Sequence, residues 1–78
     1  MPIMQVEVSE AVAADLAELA RRCTRADEER DGATTQGPLQ PDELVAMLAE
    51  DAAMAIGRPG SWEGAGMAAH LASHGYEI

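Results

Sequence analysis

Met4-Gln-Val-Glu-Val-Ser-Glu-Ala-Val-Ala-Ala-Asp-Leu-Ala-Glu-Leu-Ala20 changes its hydrophobic period at Ser9. Before Ser9 the period is two: Met4, Val6 and Val8 point one way, Gln5 and Glu7 the other. That alternation predicts a half-buried strand over 3–8. After Ser9 the apolar positions are Val12, Leu16, Leu19 and Cys23, a helical stripe. Ser9 stands where an N-cap belongs. A lone strand leaves both edges of its backbone unpaired. No later segment of the chain offers a second strand, so the simplest partner is the same strand of a second copy.

The rest of the chain reads as helix, loop, helix, helix. Helix 1 is expected over 10–26. The stretch 27–39, Asp-Glu-Glu-Arg-Asp-Gly-Ala-Thr-Thr-Gln-Gly-Pro-Leu, is polar, punctuated by Gly and Pro and without period; it reads as a loop. Gln40-Pro-Asp-Glu43 places proline in a first turn with acids directly behind it, which starts helix 2, expected over 41–56. Leu44, Val45, Met47, Leu48, Ala52, Met54, Ala55 and Ile56 cover more than one stripe, the pattern of a helix buried on two sides. Gly57-Arg-Pro-Gly60 ends it. Ser61 caps helix 3, expected over 61–74, and Ser73-His-Gly-Tyr76 has the form of a glycine stop followed by a hydrophobic residue. The expected core is Val12, Leu16, Leu19, Leu44, Val45, Leu48, Ala52 and Ile56.

Size and charge narrow the function. Seventy-eight residues form one domain, 1–78, which is marginal on its own. One cysteine permits no internal disulfide, and oligomerisation is the remaining usual support. No secretory leader is apparent in Met1-Pro-Ile-Met4, and no run approaches the roughly 20 apolar residues of a membrane span. A cytoplasmic protein with no membrane partner is expected. Five arginines, no lysine and many alanines suggest a GC-rich, bacterial source. The net charge of −9 argues against nonspecific coating of nucleic acid, which requires phosphate neutralisation. It leaves room for a small DNA-reading surface, and it suits a basic partner.

Strand, helix, turn, helix in a dimer resembles the ribbon-helix-helix family of small repressors and antitoxins. Met4–Ala20 and Leu39-Gln-Pro-Asp-Glu-Leu-Val45 carry the likeness, about half the chain. The resemblance implies a mostly α fold: a short N-terminal strand plus three helices, intertwined as a homodimer. It also implies an antiparallel ribbon in the DNA major groove. Carried over by position, the ribbon residues facing bases are Ile3, Gln5 and Glu7, while Pro41 and Asp42 bring the start of helix 2 to a phosphate. Three departures are visible. The inter-helix loop is long, the strand bears Glu7 where a cation would help, and a third helix is added. The implied function is transcription regulation of the antitoxin or plasmid-maintenance kind. The alternative is an acidic module that binds a toxin or another basic protein and no DNA.

No constellation calls for an enzyme or a cofactor. The pairs Glu28-Glu29, Asp42-Glu43 and Glu50-Asp51 read as solvated faces and helix-start charges, because adjacent helical residues diverge by about 100°. Cys23 continues an apolar stripe and reads as core. The glycine-rich 57–66 lacks the lysine of a phosphate loop. His70 and His74 share a helix face at zinc-ligand spacing, but two ligands make no structural zinc site, and no metal is expected. Arg21, Arg22, Arg25 and Arg30 are expected to complement the helix end and to pair with Glu18 and Glu29. Arg58, Trp62, Met67, Leu71 and Tyr76 form the expected partner-binding set, since they include both aromatic residues of a chain without phenylalanine.

Overall fold

The computed structural model describes all residues from Met1 to Ile78. It is mostly helical: α1 spans Glu10–Glu29, α2 Pro41–Gly57 and α3 Trp62–Ser73. The chain divides into two units, Met1–Leu44 and Val45–Ile78, and α2 runs through the division.

In the first unit Ser9 caps α1 in extended conformation, its hydroxyl accepting from the Val12 N–H at 3.1 Å. Val8 is thereby kept out of the helix. Residues 1–9 carry no regular secondary structure and are exposed. The predicted strand over 3–8 is therefore not formed within a single chain, for the reason visible in the sequence: its backbone has no second strand to bond.

Helix α1 continues to Glu29, three residues past the expected boundary. Its stop is Asp31, which takes a left-handed φ of 52°. The Gly32 N–H returns to the Asp27 carbonyl at 2.8 Å and the Asp31 N–H to that of Glu28 at 3.1 Å. This is a Schellman closure with aspartate in the position glycine usually fills. The Asp27 side chain is buried, and it accepts from the Thr34 hydroxyl. Thr34 in turn accepts from the Gly37 N–H. The polar run read as loop thus holds one more turn of helix, because its carboxylate finds a hydroxyl across the turn.

The loop returns to α1 at Thr24. That hydroxyl accepts from the Leu39 N–H at 2.9 Å and donates to the Leu39 carbonyl at 3.2 Å, satisfying both backbone groups of a buried residue. Helix α2 then opens at Pro41. The Gln40 carbonyl accepts from Leu44 N–H, and Glu43 reaches back to the Gln40 N–H at 3.0 Å, half of a capping box. Ala20, Leu39 and Leu44 are the buried apolar residues.

In the second unit a tight junction joins the end of α2 to α3. The Ser61 hydroxyl accepts from the Gly64 N–H and donates to the Arg58 carbonyl. Gly64 is buried because the backbone of α2 lies against it: a Cβ there would stand 2.6 Å from the carbonyl oxygens of both Met54 and Arg58. Glycine at 64, although it lowers helix propensity, is what lets the two segments meet. Helix α3 ends in the expected glycine stop, with Gly75 at φ 91° and the Tyr76 N–H bonded to Leu71 O at 2.9 Å.

The expected core needs correction. Of its eight members only Leu44 is buried, and Leu16 is partly so. Val12, Leu19, Val45 and Leu48 are each more than two-fifths exposed, and Ile56 is 83% exposed. Helical stripes identify which face is apolar; they do not supply the surface that covers it.

Candidate interaction surfaces

The expected base-reading residues Ile3, Gln5 and Glu7 lie in the exposed N-terminal segment. Their apolar alternates are uncovered too: Met4, Val6 and Val8 are 87, 75 and 51% exposed. Side chains of this size cost free energy in water in proportion to their apolar area. Val12 and Leu19 extend the uncovered series along α1. Pro41 and Asp42 sit in the first turn of α2, as the sequence implies. Asp42 and Glu43 bring negative charge to that helix start, where the helix field favours it. They also set it against an incoming phosphate.

One shallow groove, about 470 Å³, lies in the first unit. Ala17, Ala20, Leu39 and Pro41 give it apolar walls, and Arg21, Arg25 and Glu28 bring charge. The Thr24–Leu39 bonds hold its two sides together. Thr24 carries no signal in the hydrophobic pattern, so the groove was not legible in the sequence.

The arginine cluster is only partly free. Glu18 binds Arg21 at 3.0 Å and Arg22 at 2.9 Å, both contacts on the exposed face of α1. The two guanidinium groups, Arg22 foremost, hold the Glu18 carboxyl below the usual range. Both pairs therefore persist to lower pH than an isolated glutamate would allow. The expected pairing with Glu29 is not seen; Glu18 serves both arginines.

In the second unit the five expected partner-binding residues separate by exposure. Met67 and Leu71 are partly buried on α3. Arg58, Trp62 and Tyr76 are exposed, Trp62 at 82%. His70 and His74 lie edge to face at the end of α3, their ring centres 5.0 Å apart. No helix is long and apolar enough to cross a membrane. Comparison with protein-family models, known proteins and solved structures found no match.

Proposed function

We propose that this chain works as a homodimer in the bacterial cytoplasm and acts as a small, non-enzymatic regulator of the antitoxin or plasmid-maintenance type. Residues 3–8 of two copies pair as an antiparallel ribbon that reads DNA through Gln5. The observation that carries the proposal is the N-terminal segment: exposed, without regular structure, alternately apolar, and fed directly into a serine-capped helix. Pairing with a second copy gives its backbone partners and covers Met4, Val6 and Val8 together with the open stripe of α1. Gln5, on the opposite face of the strand, is then free to bond adenine.

A specific observation favours a second reading, an acidic interaction module for a basic protein such as a toxin. Glu18 engages two of the five arginines, which leaves the first unit with few free cations to meet phosphates. Trp62 and Tyr76 are exposed and available as anchors.

Sedimentation at micromolar concentration, followed by mobility shift against a pool of genomic fragments at low salt, separates these readings. A dimer that retains a defined sequence supports the regulator. A dimer that retains none favours the interaction module, and a monomer overturns the ribbon.

A further inference from the structure

We infer that His70 and His74 form an open two-ligand site for a divalent transition-metal ion, of the zinc, nickel and copper class. This departs from the sequence-based expectation of no metal. It concerns an exchangeable surface site, not a closed structural one.

Zinc–imidazole bonds are about 2.0–2.1 Å, so two histidines meeting at one ion at tetrahedral or square-planar angles hold their ring centres roughly 4.5–5.2 Å apart. The observed separation is 5.0 Å. Helical spacing of four residues produces it, since such side chains project from one face one turn apart. In the structure the rings meet edge to face, 74° apart in plane, and chelation would require side-chain rotation out of that contact. Both residues are exposed, and an ion can arrive from solvent without opening the fold.

The surroundings favour a cation. The pair occupies the last turn of α3 and its C-cap, where backbone carbonyls concentrate negative charge. The turn beneath is fixed by the glycine stop at Gly75. Imidazole nitrogens select the borderline metals over calcium or magnesium, which demand oxygen. No group of three or more His, Cys, Asp or Glu side chains gathers anywhere in the chain, so water completes the coordination sphere. The site is accordingly weak and quickly exchanging.

The test is calorimetric titration of the full chain with zinc chloride, repeated with nickel chloride in the presence of an NMR spectrum. A Cys23→Ser background removes the competing thiol. One ion per chain is expected, with paramagnetic nickel broadening confined to the end of α3. Because the second ligand binds intramolecularly, His70→Ala and His74→Ala should each weaken binding by at least about tenfold. Both side chains are exposed, His70 on α3 and His74 at its C-cap, and unchanged circular dichroism of the variants establishes that the fold is intact. The inference is overturned by absence of binding at millimolar metal, by loss of binding in Cys23→Ser alone, or by either histidine proving dispensable.

Discussion

Leu44 and Leu48 occupy successive turns of α2 and differ in what they do. Leu44 is 2% exposed and Leu48 is 42% exposed. Leu44→Ala removes a fully enclosed side chain and should cost roughly 2–5 kcal/mol. That is enough to unfold so small a unit. Leu48→Ala costs that much only if a second chain covers it. Denaturation midpoints at low and high protein concentration decide the point: a penalty at Leu48 that grows with concentration marks it as interface. Gly64 makes the opposite case. Gly64→Ala improves intrinsic helix propensity, yet its methyl would meet two carbonyl oxygens at 2.6 Å. Overpacking of this kind costs about 1–3 kcal/mol, so the expected sign is destabilising. A raised melting temperature would show that the α2–α3 junction yields.

At the scale of elements, the helices were legible because their signals are local. Ser9, Pro41 and Ser61 mark starts that need only a few neighbouring residues to operate, and Gly75 marks a stop of the same kind. The end of α1 is not fixed by local signals, because it depends on a partner at a distance. Asp27 stays helical through Thr34, seven residues on, and no periodicity announces that bond. The groove beside Thr24 has no local signal for the same reason, its partner Leu39 being fifteen residues away. The expected strand is a different matter: residues 3–8 have no strand to pair with inside the chain, and the proposed partner is a second copy. Deletion of residues 1–8 tests it at this scale. Helicity by circular dichroism should be unchanged, because all three helices start after Ser9, while the sedimentation coefficient should fall to that of a monomer. A truncated chain that still dimerises would move the interface to α1 or α2. Truncation after Gly60 asks the matching question of α3: loss of the dimer assigns it a covering role, whereas an intact dimer that no longer captures a basic partner assigns it recognition.

For the molecule as a whole, charge decides how DNA could be held. The chain has five arginines against fourteen acids, and Glu18 occupies Arg21 and Arg22. If Arg25, Arg30 and Arg58 of both chains all met phosphates, the slope of log affinity against log salt would be no steeper than about −5. Specific binding, if it occurs, must then draw heavily on base contacts and on ribbon geometry. Gln5→Ala should relax preference at one base pair by roughly 1–3 kcal/mol and leave the salt slope unchanged. Glu18→Gln should do the reverse. It removes the carboxylate that binds two guanidinium groups, so if α1 flanks the DNA backbone the affinity rises and the slope steepens. Exposed ion pairs contribute little to folding, so the melting temperature should scarcely move, and any change in binding reports on the released arginines. Parallel salt titrations of the wild-type chain and the two variants on one selected fragment read both effects. A slope insensitive to Glu18→Gln would turn this face of α1 away from DNA and leave it to a protein partner.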